Sequence, residues 1–327
     1  GVRLWFYDQI GFSGANLQGG LVRERPEYAG QWLATQVVEG EGDLAIAFPP
    51  EGTPLAIAIT DLATGETVTT SSGKTPLFRE EGGLPGRGAR RVRVIYAVRR
   101  GYDYFGREAC ATLLDTVHGE FERRASEFFG DVIVGSFQDE LPSMPTWGED
   151  FLAAFAARNG YDLQPKLGLL WEGDDPEAQR VRTDFHATRA ALAEEAFFKP
   201  LFDWHERHGI ICGFDQQGPA RAGDPVETVT LYADYLKTHR WFGAPGSDHH
   251  GEAKIHSSLA HLYERPRVWI ESFHSSGWGG TLEETFDWLL PWLRAGANLY
   301  DPHAVYYSTR GGWWEWAPPS TCWRQPY

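Results

Sequence analysis

The stretch that decides the fold is Val132-Ile133-Val134-Gly135-Ser136-Phe137-Gln138-Asp139-Glu140-Leu141-Pro142, an apolar run that stops at two acids. A short apolar run that ends in polar residues and precedes a helix-like pattern is typical of a strand in a parallel sheet. Five further runs have the same form, and each is followed by a carboxylate. They are Val2–Tyr7 before Asp8, Ile210–Phe214 before Asp215, His239–Ala244 before Asp248, Val268–Ile270 before Glu271, and Asn298–Tyr300 before Asp301.

Helix-like stretches alternate with these six strands. They are Thr112–Phe129, Trp147–Asn159, Arg180–His208, Thr228–Lys237, Ala253–Tyr263 and Leu282–Ala295. Four of them are followed by a glycine, the residue that a helix C-cap favours. A TIM barrel needs eight strands. We therefore predict an α/β protein with a (β/α)8 TIM-type barrel, whose first two βα units are absent from this chain unless the barrel is irregular.

Residues 36–100 break this rhythm, because four short runs there read as antiparallel strands joined by turns. The runs are Asp43–Phe48, Leu55–Asp61, Glu66–Thr70 and Arg91–Val98. The predicted organisation is a barrel segment over 1–35, a small antiparallel β-rich insert over 36–100, and the remainder of the barrel catalytic domain over 101–327.

Composition restricts the class of partner. A formal charge of −15 would repel phosphate backbones and anionic lipids, so we expect no nucleic acid and no membrane partner. The cysteines at 110, 212 and 322 lack the spacing of a disulfide framework or a zinc site. With no apolar run of ~20 residues and no leader at residue 1, we expect a soluble protein, either cytoplasmic or secreted with its leader missing. The sequence gives no indication of oligomeric state.

Glu140 and Glu271 are the predicted catalytic pair. Barrel active sites lie at the C-terminal ends of the strands, and cleavage of a glycosidic bond needs two carboxyl groups, one to protonate the leaving oxygen and one to act as nucleophile or base. Glu140 follows a clean apolar strand beside Asp139, and Glu271 follows a buried one. The alternatives are that Asp139 and Glu140 cap the next helix and that Glu271 forms a structural salt bridge.

The predicted carbohydrate substrate would be held by further polar and aromatic groups near the strand ends. The predicted binding residues are Asp8, Asp139, Asp215, Asp248, His249, His274, Trp278, His303 and Tyr306. Imidazole forms hydrogen bonds with sugar hydroxyls and also coordinates metals. The fourteen tryptophans supply surfaces on which sugars stack. The histidine spacing lacks the H-E-x-x-H pattern of a zinc enzyme, so no metal ligand and no cofactor is predicted from the residues themselves.

Several segments together resemble glycoside hydrolase family 106, the α-L-rhamnosidases. The segments are Leu4–Gly20, Gly135–Pro142, Arg265–Phe273 with Gly277–Gly279, Gly296–His303 and Pro318–Ser320. Gln9 stands where the family usually has Glu. The resemblance implies that Glu140 follows the fourth barrel strand and Glu271 the seventh, positions of the acid/base and the nucleophile in related retaining barrels. Family 106 itself implies an inverting reaction assisted by Ca²⁺.

Two other classes of function stay open at this stage. A barrel that binds carbohydrate without turnover is compatible with the loss of the carboxylate at Gln9. A metal-dependent hydrolase or lyase could use Asp215, Asp248, His249 and His303.

Overall fold

The computed structural model describes residues 1–8, 10, 15–46, 49–71, 82–84, 88–215, 229–248, 253–272 and 281–302. Two compact units are present. The first, here called the parallel unit, contains the described residues of 1–18, 111–143 and 197–302. The second, the antiparallel unit, contains those of 19–110 and 144–196.

The strands of the described residues are numbered in chain order. They are β1 (Leu4–Tyr7), β2 (Ala29–Glu41), β3 (Leu44–Ile46), β4 (Thr53–Asp61), β5 (Thr67–Ser71), β6 (Gly82–Leu84), β7 (Ala89–Tyr102), β8 (Ile133–Asp139), β9 (Ile211–Asp215), β10 (Ala244–Ser247), β11 (Trp269–Ser272) and β12 (Leu299–Pro302).

The α-helices are numbered in the same way. They are α1 (Ala15–Glu24), α2 (Arg107–Leu114), α3 (Glu120–Ala125), α4 (Phe151–Asn159), α5 (Pro176–Ala193), α6 (Lys199–His208), α7 (Val229–Tyr232), α8 (Tyr235–Thr238), α9 (Ala253–Leu262) and α10 (Leu282–Ala295). Two single π-helical turns, Asp115–Gly119 and Glu194–Phe198, join α2 to α3 and α5 to α6. Among the described residues, no helix is both long and apolar enough to span a membrane.

The parallel unit is built on a curled sheet with the strand order β1-β8-β9-β10-β11-β12. Neighbouring strands lie about 4.8 Å apart, so a flat sheet would separate β1 from β11 by about 19 Å. The rings of Trp5 on β1 and Trp269 on β11 are nevertheless only 5.3 Å apart between centroids. Phe137 on β8 also stacks on Trp269, at 4.8 Å. These side chains therefore lie on the inner face of the curl, called here the concave face.

Glycine makes this curl sterically feasible at two positions. A Cβ added at Gly135 would lie 2.5 Å from the ring of Trp5, and one at Gly246 would lie 2.3 Å from the Cβ of Trp269. Carbon atoms do not approach so closely, so a larger residue would force the strands apart. The opposite face of the sheet packs on helices, as the stacking of Phe6 on Phe121 of α3 at 3.9 Å illustrates.

The antiparallel unit contains a four-stranded sheet with the order β2-β7-β4-β5. Alternate residues of its strands bury their side chains on opposite faces. Ile95 and Ala97 pack with Phe151 of α4 and Phe185 of α5, whereas the alternate residues of β7 pack with β3. Residues 144–196, which the sequence interpretation placed in the barrel, therefore fold with the antiparallel strands.

The prediction of a closed (β/α)8 barrel is wrong for the described part of the chain. The parallel sheet there has six strands and forms an open half-barrel, with a separate antiparallel sheet. Each of the six parallel strands overlaps or adjoins a predicted run, and α10 has the predicted bounds. The strand predicted at His239–Ala244 is displaced to Ala244–Ser247, because His239–Trp241 forms a 3₁₀ turn.

Candidate active site

The candidate site is a group of carboxylates at the C-terminal ends of the parallel strands. Asp139 lies two residues after Phe137, and Glu271 two residues after Trp269, so strand alternation places both acids on the concave face. Asp301 is the register partner of Glu271 on the neighbouring strand β12. The curl therefore gathers acids from several strands at one end of the sheet.

The acids affect one another electrostatically. Burial, together with the negative charges of Glu271, Glu140 and Asp248, raises the pKa of Asp139 from 3.8 to about 7. Burial, with the charge of Glu271, raises the pKa of Asp301 to about 6. A group of carboxyls with these pKa values holds a proton close to neutral pH, as a general acid must.

An aromatic floor, defined as Trp5, Tyr7, Phe137 and Trp269, lies on the same face as the carboxylates. The ring of Tyr7 stacks on Phe137 at 5.0 Å, and Phe137 stacks in turn on Trp269. The hydroxyl of Tyr7 donates a hydrogen bond of 3.2 Å to Oδ2 of Asp139. Aromatic rings exclude water from one side of the carboxylates, which is consistent with the raised pKa of Asp139.

Glu140 has a strained backbone, with φ at 42°. For a residue other than glycine, this left-handed conformation costs on the order of 1 kcal/mol and is found disproportionately at functional sites. The alternative that Asp139 and Glu140 cap a helix is wrong, because α4 begins only at Phe151 with Asp150 as its N-cap residue.

Glu271 keeps its predicted place at the end of β11. Within the described part of the chain, no lysine, arginine or histidine forms an ion pair with it. The structural salt bridge considered from the sequence is therefore not formed by these residues.

Asp8 is not brought together with the catalytic pair. Strand alternation places it on the helix side of the sheet with Phe6, and only 2% of its surface is exposed. Its Oδ1 accepts a hydrogen bond from the backbone N–H of Ile10, and its Oδ2 lies 3.3 Å from Nε2 of His118. Burial raises the pKa of Asp8, although His118 acts in the opposite direction. In this structure Asp8 fixes the chain that leaves β1.

The other predicted site residues divide into two groups. Asp248 directly follows β10, and its charge acts on Asp139. Asp215 is the last residue of β9 and pairs in register with Asp139. His249, His274, Trp278, His303 and Tyr306 lie outside the described residues.

The sequence interpretation missed Tyr7 and gave Asp301 no role. Alternation along Trp5-Phe6-Tyr7-Asp8 was the available signal for Tyr7, since only one of two adjacent residues faces the concave side. Asp301 had been recognised as a strand-end acid, the same signal that selected Glu271. Its placement beside Glu271 depends on the register of β11 and β12, which a single sequence does not reveal.

A calcium site was implied by the family resemblance. Among the residues that the structure describes, no group of three or more His, Cys, Asp or Glu side chains is placed to hold a metal ion. The implied Ca²⁺ stays a prediction that these side chains do not test, because Ca²⁺ is also bound by backbone and amide oxygens.

The fold is similar to that of part of one solved enzyme structure. No protein-family model and no curated protein sequence matches the chain. Among solved structures, a rhamnosidase from Novosphingobium sp. PP1Y is similar in fold, with a TM-score of 0.53 and 16% identity over 73% of this chain. This chain covers 26% of that rhamnosidase. A ruminal GH26 endo-beta-1,4-mannanase has a TM-score of only 0.20 and 9% identity, over 87% of this chain and 73% of that one, which is too low to indicate a common fold.

Proposed function

We propose that this chain is the catalytic region of a glycoside hydrolase that removes a terminal sugar from a glycan or glycoside. The observation that carries the proposal is the cluster of carboxylates on the concave face, formed by Asp139, Glu271 and Asp301. This cluster lies beside the aromatic floor, at the C-terminal ends of parallel strands. The similarity in fold to part of a rhamnosidase supports it.

The arrangement supplies both groups that glycoside cleavage requires. A carboxyl at the end of β8, predicted as Glu140, would protonate the departing oxygen. Glu271 at the end of β11 would act as nucleophile or would activate water, on the other side of an oxocarbenium-like transition state. The aromatic floor offers an apolar surface for the C–H face of a sugar ring.

The first substrates to test are α-L-rhamnosides, because the structurally similar protein is a rhamnosidase. Chromogenic glycosides of other neutral sugars complete the panel. Replacement of one catalytic carboxyl typically lowers turnover by about 10²–10⁴-fold. We expect Glu271→Gln to show a loss of that size on the substrate that the wild type cleaves.

Glu127→Gln is the matched control, since Glu127 is an exposed acid in the turn that precedes the N-terminal end of β8, whereas the site lies at the C-terminal ends of the strands. It should retain wild-type turnover. Analysis of the first-formed anomer by NMR would then distinguish retention from inversion. Saturable binding of sugars without turnover of any glycoside would contradict the proposal and favour a carbohydrate-binding barrel.

A further inference from the structure

Two adjacent acids at the end of β8 differ in how firmly the backbone places them. Asp139 is the last residue of the strand and keeps its register with Asp215 on β9. Glu140 follows with φ at 42°, so the chain turns out of the strand there. The direction of the Asp139 side chain is therefore set by the sheet, whereas that of Glu140 is set by a strained turn.

A second constraint acts on the Asp139 carboxyl directly. Tyr7 donates its hydroxyl to Oδ2 of Asp139 at 3.2 Å, and the two residues come from the adjacent strands β1 and β8. The Tyr7 ring is inclined by only 20° to the ring of Phe137, on which it stacks. A tyrosine ring held by stacking keeps its hydroxyl in one place, so this hydrogen bond orients the carboxyl group.

We propose that Asp139, rather than Glu140, is the proton donor of the site and that Tyr7 is the residue that positions its carboxyl. This inference rests on the proposed glycosidase function. With Oδ2 accepting from Tyr7, the proton of the neutral carboxyl resides on Oδ1. The Oδ1–H bond breaks as this proton passes to the glycosidic oxygen, and the C1–O electron pair leaves with the alcohol. Water adds to the sugar carbon, and the proton that it releases returns to the Asp139 carboxyl, directly if Glu271 is the nucleophile and through Glu271 and solvent if Glu271 is the base.

The surrounding charges are consistent with a donor near neutral pH. Glu271 from β11, Glu140 from the same chain segment and Asp248 after β10 all disfavour ionisation of Asp139, and burial does so most strongly. Tyr7 has the opposite effect, because its hydrogen bond stabilises the charged form. Removal of the hydroxyl should therefore raise the pKa of Asp139.

The test compares pH–rate profiles of kcat/KM for four variants. Tyr7→Phe should move the alkaline limb up by about 1 pH unit, the effect of one hydrogen bond to a charged group, and should lower kcat more than it changes KM. Tyr161→Phe is the matched control, because Tyr161 donates a similar hydrogen bond to Asp184 in the antiparallel unit, and it should leave the profile unchanged. Asp139→Asn should lose turnover about 10²-fold or more, a larger loss than that of Glu140→Gln.

A titration that needs no substrate separates failure of this inference from failure of the proposed function. The ¹³C carboxyl signal of Asp139, assigned by its absence in Asp139→Asn, should titrate near pH 7 and shift upward in Tyr7→Phe. Any of three results would overturn the inference. The Asp139 signal could titrate near pH 4, or Tyr7→Phe could leave the alkaline limb where it is. The third is turnover that survives Asp139→Asn and disappears in Glu140→Gln. Absence of turnover with every glycoside would instead contradict the proposed function.

Discussion

Asp139→Asn should stabilise the protein at alkaline pH, because the folded chain holds the Asp139 charge in an unfavourable environment. Burial and three neighbouring acids raise its pKa from 3.8 to about 7. For an acid whose pKa is raised by folding, the native state binds more protons than the unfolded state between these two values. The free energy of unfolding of the wild type therefore decreases as the pH rises from about 4 to about 7.

The size of this effect follows from the shift in pKa. A difference of about 3 pH units at about 1.4 kcal/mol per unit gives a ceiling of about 4 kcal/mol above pH 7. The Asp139 side chain is only partly buried by surface area, and solvent screening reduces the effect to about 2 kcal/mol. Asparagine has nearly the same shape and no charge, so the variant should lack this loss.

Urea unfolding at pH 4.5 and pH 8, followed by hydrogen exchange of peptides from β8 and β11, measures the effect in the parallel unit itself. The Asn variant and the wild type should differ little at pH 4.5, and the variant should be more stable by about 2 kcal/mol at pH 8. Asp61→Asn is the control, because backbone N–H groups of Thr64 and Ala63 lower the pKa of Asp61. The contribution of Asp61 is therefore lost only below about pH 4, and this variant should keep the wild-type slope between pH 4.5 and pH 8. Equal pH slopes for wild type and Asp139→Asn would refute the reasoning.

Three further substitutions test the site and its scaffold. Glu140→Gly should relieve the positive φ and raise the free energy of unfolding by about 1 kcal/mol, whereas Glu140→Gln should leave it unchanged; equal stabilities would argue against strain. Gly246→Ala should destabilise the parallel unit by about 2 kcal/mol or more, the cost of an overpacked core. The control Gly20→Ala, inside α1, should stabilise the protein by about 0.5–1 kcal/mol. Thermal unfolding measures both, and an unchanged stability of Gly246→Ala would contradict the close contact between the strands. Glu172→Gln should lower the free energy of unfolding in denaturant by about 3 kcal/mol, because Glu172 is 4% exposed and forms an ion pair of 2.7 Å with Arg93. A loss below about 1 kcal/mol would show that the pair contributes little.

The sequence predicted the parallel strands well where each strand is a compact apolar run before an acid, as at β8 and β11. It predicted α10 because the local signals agree, with a capping box formed by Thr281 and Glu284 and a left-handed C-cap at Gly296. Strand β10 was misplaced because Ala244-Pro245-Gly246-Ser247 has little intrinsic strand propensity. Its extended conformation comes from pairing with β9 and β11.

Tertiary geometry determined what the sequence could not. The long strand β2 was not predicted at all, since its extent follows from pairing with β7 from Ala29 to Glu41. The predicted helix Arg180–His208 is interrupted by the π-helical turn Glu194–Phe198, for which the sequence has no marker. Within the site, position at a strand end made Glu271 and Asp8 equal candidates. They differ in the direction of the side chain, which is on the concave face for Glu271 and on the helix side of the sheet for Asp8.

The cluster of carboxylates would also repel anionic ligands that approach the C-terminal ends of the strands. Asp139, Glu140, Asp248, Glu271 and Asp301 belong to this end of the sheet. A sugar that carries its own carboxylate or sulfate would meet a repulsion of up to about 4 kcal/mol from each ionised acid at about 4 Å. A neutral glycoside should therefore inhibit turnover of a chromogenic substrate more strongly than the matching uronic acid derivative does. The difference between the two inhibition constants should decrease in high salt. The acids that would cleave the glycosidic bond would thus also restrict which sugars come within reach of them.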